Sequence, residues 1–261
     1  MITRKFCGLS GSKGAILDPK YTVSLSAPQD LGGTYNLVTG KYGLVREVSG
    51  FGYATMEVRS GNVLSLVTLP NGRKSTFTVP ARMTGPRCLV PFLEASDSAQ
   101  GFTRMAGQII FTNRMGSGDL DWVHLPKVIN QQVTEPLKKA FLAKSSLTVE
   151  SYTPPKVAQA GIFGANDKRA SLKVFAQLAK SLSVKPVQAS GVQALAESTA
   201  NGASLTIDTS SGVFRGAFTE TRGKTKVPRT VSGVILQTSR QGKGMTSSDA
   251  EILPVSIEPS L

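Results

Sequence analysis

The sequence predicts a mainly β fold, with two related antiparallel β-barrel or sandwich-like halves joined by a segment with one or two short helices. Short alternating runs of polar and apolar residues recur along most of the chain. Residues typical of turns separate these runs, and one glycine pattern occurs twice. We therefore expect four regions: an N-terminal arm at 1–32, a first β half at 33–125, a linker with short helices at 126–200 and a second β half at 201–261.

The repeated pattern is a strand-like run that ends in Ser-Gly, a second run, and a glycine followed by a basic residue. Gly212 lies 151 positions after Gly61, and Gly223 lies 151 positions after Gly72. Glycine adopts positive φ angles at little cost, so matched glycines between β-type runs suggest the same hairpin built twice. The pattern therefore favours an internal duplication.

The N-terminal arm and the first half contain short apolar or alternating runs. In the arm, Tyr21–Leu25 is a candidate edge strand. Cys88 lies in a strand-like run and is predicted to be a small buried hydrophobic residue, while its pairing with Cys7 depends on a Cα separation that the sequence leaves open. The predicted strands of the first half are 33–38, 53–58, 63–69, 75–79, 88–93, 107–112 and 120–123.

The region 126–200 has a different pattern. Glu135–Leu142 is a candidate short helix because Pro136 suits a first helical turn. The segment Tyr152–Pro155 must be extended and is interpreted as the linker between the halves. A second helix is predicted over 167–182, where Asp167 could be the N-cap and apolar residues fall at helical spacing, namely Leu172, Phe175, Ala176, Ala179 and Leu182.

The second half returns to β patterning, with runs at 205–207, 213–218 and 230–237. The run Ile252–Ile257 can supply a closing strand. Pro254 lacks the N–H that a strand paired on both sides would donate, so it favours an edge position for this run.

The chain is basic, with a formal net charge of +13. The stretch from 215 to 243 contains seven basic residues and a single acidic residue, Glu220. Such an excess attracts a nucleic acid, an acidic polysaccharide or an acidic face of a neighbouring subunit, and it is equally typical of a solvated surface. The candidate contact residues are Arg215, Arg222, Lys224, Lys226, Arg229, Arg240 and Lys243.

Catalytic chemistry has little support in the sequence. The only histidine is His124, and two cysteines with one histidine cannot build a usual zinc cluster. We therefore expect that the protein is not an enzyme and that it binds neither a metal nor a cofactor. The competing hypothesis is an unrecognised hydrolase with Asp119 and Asp121 as paired carboxylates. Their strand spacing would place both side chains on one face.

Location has few sequence signals. No apolar stretch approaches the roughly 18 residues of a membrane span. The N-terminus has the basic residues of a signal peptide without an apolar region behind them, so we expect a chain that does not use that route or a mature or trimmed form.

A series of structural motifs covers roughly 30–257, and their key residues are Gly, Tyr, Trp and alternating apolar residues. They occur at 30–35, 52–58, 107–113, 118–122, 152–155, 205–207, 211–216 and 231–237. Together they resemble a β-rich module found in the C-terminal parts of large secreted bacterial surface proteins. The resemblance implies an extracellular or cell-surface setting, a non-enzymatic role and an inter-half linker at 152–155.

The function expected from these observations is that of a structural or adhesion subunit, which forms homo-oligomers or packs on a partner. Exposed strand edges must be covered, blunted or paired with another chain, and Tyr21–Leu25 and Ile252–Ile257 are the candidates for strand exchange. The alternative is a polyanion-binding module that uses the basic stretch 215–243.

Overall fold

The structure is a computed structural model of the 261-residue chain. It describes residues 31, 33–40, 51–59, 62–69, 74–80, 82–84, 87–98, 101–112, 114–126, 140–156, 163, 169–174, 177–184, 192–196, 203–248 and 252–260. These residues form seventeen strands in two antiparallel sheets, and no α-helix occurs among them. The mainly β fold with two β halves is therefore confirmed.

The first unit is a curled sheet of nine strands in the order β4-β3-β2-β1-β9-β8-β7-β6-β5. Its concave face buries the first core, in which Tyr35 packs edge-on against Phe111 and Trp122 is fully buried. The strands are β1 Gly33–Thr39, β2 Tyr53–Arg59, β3 Asn62–Thr68, β4 Lys74–Pro80, β5 Arg82–Thr84, β6 Arg87–Ser98, β7 Gly101–Thr112, β8 Met115–Leu125 and β9 Phe141–Tyr152.

The second unit is a closed barrel of eight strands. Each strand pairs with its neighbours in sequence, and the first strand pairs with the last to close the barrel. Inward residues alternate with outward ones, and Phe214, Ile235 and Val255 lie in the buried interior. The strands are β10 Arg169–Val174, β11 Gln177–Val184, β12 Val192–Ala196, β13 Ser204–Asp208, β14 Val213–Arg222, β15 Thr225–Leu236, β16 Gln241–Ser247 and β17 Ile252–Pro259.

The helix predicted over 167–182 is wrong, because β10 and β11 occupy most of this segment. Ala170, Leu172 and Val174 face the barrel interior at the period of two that a strand requires. A short apolar run fits the helical and strand periods almost equally well, and pairing with β17 selected the strand. Of the other predicted helix, 135–139 lie outside the described residues, and Phe141 and Leu142 begin β9.

The placement of Ile252–Ile257 at a sheet edge is also wrong. This run lies in β17, which pairs with β16 on one side and β10 on the other and so closes the barrel. Pro254 is tolerated because the β10 ladder ends at Val255, so β16 is its only strand neighbour. Strand exchange through 252–257 would require the barrel to open. The other candidate, Tyr21–Leu25, lies outside the described residues.

The repeated glycine pattern coincides with the same order of three strands in both units. The starts of β2, β3 and β4 precede those of β13, β14 and β15 by 151 positions each: 53 and 204, 62 and 213, 74 and 225. Gly212 and Gly223 have φ angles of +73° and +60°, as predicted for turn glycines. The loops differ, since the β2–β3 pairing leaves two residues between the strands and the β13–β14 pairing leaves four.

An apolar layer joins the outer faces of the two units. Val38 and Tyr53 of the first sheet pack against Val234, Leu236 and Met245 of the barrel, and all five are buried. Their own strands direct these side chains away from the two cores. The units therefore share a third buried cluster, which links them as a structural joint.

Hydrogen bonds from β1 and β9 tie two barrel loops to this joint. The Asn36 amide donates from Nδ2 to the carbonyl oxygen of Ile235 over 2.8 Å, and the Tyr152 hydroxyl donates to the carbonyl oxygen of Thr209 over 2.8 Å. The buried Glu150 carboxylate accepts from the backbone N–H of Thr238 over 2.7 Å and from the hydroxyl of Ser239. Side chains of the first sheet therefore hold the turns that precede β14 and β16.

Candidate binding surfaces

One end of the outer face of β7–β9 exposes an apolar patch, formed by Phe102, Val123, Leu125 and Leu142. Phe102 lies directly opposite Leu125, and Val123 lies opposite Leu142. Phe102, Leu125 and Leu142 retain 39%, 51% and 57% of their accessible surface. Contiguous apolar side chains on an exposed face are typical of interaction sites, whereas isolated ones are common on any surface.

Asp119 and Asp121 occupy the same outer face of β8 as this patch, and both are exposed. The prediction that the two carboxylates share a face is confirmed. Lys144 lies opposite Asp121 on β9, and among the described residues neither aspartate forms an ion pair. The outer face of β8 therefore presents two carboxylates next to apolar side chains.

His124 points to the opposite face of β8 from the two aspartates. It is buried inside the first unit, where its Nδ1 lies 3.0 Å from the hydroxyl of the buried Thr103. The arrangement that the hydrolase hypothesis needs, with Asp119, Asp121 and His124 around one cleft, is therefore not formed on this strand.

The β14–β15 hairpin extends beyond its neighbours in the barrel. The described pairing of β13 with β14 ends at Ala217, and that of β16 with β15 ends at Thr230, whereas β14 and β15 remain paired to Arg222 and Thr225. We call residues 218–229 the hairpin tip. Its two-residue loop has a positive φ at Gly223 only, which is typical of a type II′ turn.

The hairpin tip carries three of the seven predicted basic residues at its end. Lys224 is exposed in the turn, Lys226 is exposed on β15, and Arg222 is the last residue of β14. We call Arg222, Lys224 and Lys226 the basic tip. Arg215 is also exposed, but it lies six residues along β14 from the partner of Lys226, or roughly 20 Å.

The other three candidates, Arg229, Arg240 and Lys243, do not belong to the basic tip. Arg240 lies in the turn before β16 and donates from Nε to the carbonyl oxygen of Phe163 over 2.9 Å. The Lys243 ammonium lies 5.8 Å from the centre of the Phe51 ring, next to the joint. The seven residues therefore do not form one continuous basic face.

Arg229 is a correction to the predicted surface, because its side chain is fully buried. Its Nε donates to Oε2 of Glu220 over 2.6 Å, across the base of the hairpin tip. Lys226 and Arg229 are three positions apart, an odd number, so strand alternation places them on opposite faces. Arg229 is a structural residue of the hairpin and cannot face a polyanion.

The loop between β13 and β14 is organised by Asp208. Its carboxylate accepts from the backbone N–H of Ser210 over 2.9 Å and from the hydroxyls of Ser210 and Ser211. Burial raises the pKa of Asp208, but these hydrogen bonds outweigh it and lower the pKa below its usual value. Burial, with a smaller contribution from the Asp208 charge, raises the pKa of Tyr152 well above its usual value.

The described part of the chain offers no further class of site. It contains no group of three His, Cys, Asp or Glu side chains suited to hold a metal ion. It also contains no helix of the length and apolar character needed to cross a membrane.

Comparison of the chain with protein-family models, with curated proteins and with solved structures gives no match. The surfaces described above therefore carry the functional argument.

The apolar patch was not identified from the sequence, although a signal was present. Alternation in β8 places Val123 and Leu125 on the same face as Asp119 and Asp121. Apolar residues on the polar face of a strand indicate a covered or binding surface. That Phe102 and Leu142 lie beside them depends on the pairing of three strands.

Proposed function

We propose that this protein is a non-enzymatic structural or adhesion subunit that packs against further copies of itself. The apolar patch on the outer face of β7–β9 is the observation that carries the proposal. The joint supports it, since two β units tied by a buried cluster and hydrogen bonds suit a component that transmits contacts rather than one that opens around a substrate. The resemblance to bacterial surface modules favours a cell-surface or extracellular setting.

The patch is expected to give a weak contact by itself. Fully burying one Leu or Phe contributes about 1.5–3 kcal/mol, and these side chains are already about half buried, so each would add roughly 1 kcal/mol. Association costs at least about 4 kcal/mol in lost translational and rotational freedom. Three such side chains would therefore need additional contacts, and assembly should depend on protein concentration.

Light scattering coupled to size exclusion, over a range of concentrations of the full chain, tests the proposal. We expect the parent protein to associate and the Leu125→Glu/Leu142→Glu variant to remain monomeric. Ser117→Glu/Thr148→Glu is the matched control, because it adds the same two charges at exposed positions of the same two strands. A parent protein that is monomeric at every concentration would refute self-assembly.

Removal of residues 1–30 tests the N-terminal arm separately. Loss of assembly in the truncated chain, with the apolar variant still assembling, would assign the contact to the arm rather than to the patch.

A second candidate function is polyanion binding, which the projecting hairpin tip favours. Such a tip can approach phosphates or sulfates without steric hindrance from the barrel, and its affinity would fall steeply with salt. Titration with duplex DNA and with a sulfated polysaccharide tests it, and Lys224→Glu/Lys226→Glu should abolish binding. Lys74→Glu, at an exposed lysine of the other unit, is the control. Equal binding by both variants would refute the candidate.

A further inference from the structure

We propose that the hairpin tip enters the major groove of duplex DNA, with Lys224 and Lys226 on the phosphates that line the groove. This inference rests on the second candidate function, polyanion binding, and names both the polyanion and the way in which the tip meets it.

The hairpin tip has dimensions that fit a groove. From the pair Ala217–Thr230 at its base to the last pair, Arg222–Thr225, the two strands advance by five residues, or roughly 17 Å. The major groove of B-form DNA is about 12 Å wide and about 8.5 Å deep, and it admits a two-stranded β-ribbon. The tip can therefore reach the floor of the groove before the barrel wall meets the phosphates.

The charge of the hairpin tip suits a groove lined by phosphates. Residues 218–229 contain four basic residues and one acidic residue, Glu220, which pairs with the buried Arg229. The other three basic residues are the basic tip. Lys224 and Lys226 are exposed and form no ion pair with a described residue. The end of the tip therefore carries an excess of positive charge.

The described residues beside the base of the tip add no acidic side chain. Ser204 of β13 lies opposite Ala217, and Ser247 of β16 lies opposite Thr230. The acidic residues that follow Ser247 in sequence, at 249 and 251, lie outside the described residues. Thr230 is four residues from Lys226, or roughly 13 Å along the strand, so the basic tip is well separated from this base.

The distribution of the cations favours an end-on approach over a polyanion that lies flat on the barrel. Arg215 and Thr221, the partner of Lys226, share the outer face of β14 because six positions separate them. This separation of roughly 20 Å is more than twice the depth of the groove. Arg215 therefore stays outside a groove that holds the tip, whereas a polyanion lying along the outer face would contact Arg215 and Lys226 together.

The end of the tip offers threonine hydroxyls to the base edges, since Thr221 and Thr225 are both exposed. A hydroxyl both donates and accepts, so it selects no single base, whereas lysines on phosphates fix the position of the ribbon. We therefore expect the affinity of non-specific binding, with a Kd of roughly 10⁻⁴–10⁻⁶ M at physiological salt.

Fluorescence anisotropy with a labelled DNA duplex, over a series of salt concentrations, tests the inference in the full chain. Each phosphate contact contributes about 0.9 to the steepness with which log K falls against the logarithm of the salt concentration. Lys224→Gln/Lys226→Gln should therefore reduce the steepness by about 2. Arg215→Gln, on the same hairpin, and Lys74→Gln, in the other unit, should retain the slope of the parent protein.

A second duplex of the same sequence separates groove insertion from contact with phosphates alone. Bulky uncharged groups at C5 of its pyrimidines fill the major groove and leave the phosphates unchanged. The parent protein should bind this duplex about tenfold more weakly.

The outcomes separate this inference from the candidate function on which it rests. Equal affinity for the two duplexes, or a slope reduced in Arg215→Gln as much as in the lysine variant, overturns insertion and leaves polyanion binding by the outer face. A sulfated polysaccharide that binds more tightly than DNA, through the same two lysines, also overturns it. If the parent protein binds neither polyanion, both the inference and the second candidate function fail, and self-assembly through the apolar patch is unaffected.

Discussion

Replacement of Gly212 by alanine should destabilise the protein at the joint between its two units. Gly212 has a φ of +73°, and a Cβ at this position would lie 2.5 Å from Cε2 of Tyr152 and 2.7 Å from Nδ2 of Asn36. Two costs therefore combine. An L-residue in the left-handed region destabilises the fold by roughly 1–2 kcal/mol, and overpacking of a filled site destabilises it by a further ~1–3 kcal/mol.

Gly223 offers a matched control for the first cost. Its φ is +60°, but a Cβ there would meet no atom within 4 Å. Gly223→Ala should therefore show the conformational cost alone, and the difference between the two variants should be the steric cost at the joint, about 1–3 kcal/mol.

Urea unfolding measures the free energy of unfolding of the two variants, with two probes that report on different parts of the molecule. Trp122 is the only tryptophan and lies in the core of the first unit, so its fluorescence follows that unit, while circular dichroism follows both. Equal destabilisation by the two substitutions, within about 0.5 kcal/mol, would refute the assigned packing of Gly212 between Tyr152 and Asn36.

Three further predictions concern charged groups. Glu150→Ala should lower the free energy of unfolding by about 2–3 kcal/mol in urea, since it removes the acceptor for a barrel turn, whereas Thr148→Ala on the same strand face should change it little. The pKa of Asp208 is lowered in the folded state, so the ionised carboxylate stabilises the fold above its unfolded pKa of about 3.9, and this stabilisation is lost as the pH falls through the folded pKa. The difference in stability between the parent protein and Asp208→Asn should therefore shrink in thermal melts at acid pH. A difference that grew as the pH fell would contradict this prediction. Glu220→Gln should lower the free energy of unfolding by about 2–4 kcal/mol, because it leaves the buried Arg229 charge without its acidic partner. The double variant Glu220→Leu/Arg229→Met, which removes both charges, should lower it less. Thermal melts that rank the two variants the other way would refute the pairing.

Local sequence patterns determined much of the strand content of this protein. Alternation predicted the β runs of both units, and turn glycines at 212 and 223 were expected from their place between such runs. These features depend on neighbouring residues only, because side chains alternate along a strand and glycine alone enters positive φ readily. The same alternation, applied across Lys226 and Arg229, would have removed Arg229 from the basic surface.

Tertiary pairing decided what the local patterns left ambiguous. The apolar residues of 167–182 fit a helix or two strands, and the barrel selected strands because only they satisfy the backbone groups of β17. Closure of the barrel turned the expected edge at 252–257 into a strand paired on both sides. The joint depends on contacts such as Asn36 with Ile235, which are 199 positions apart. The apolar patch likewise exists only because β7, β8 and β9 pair in one register, and no single strand contains it.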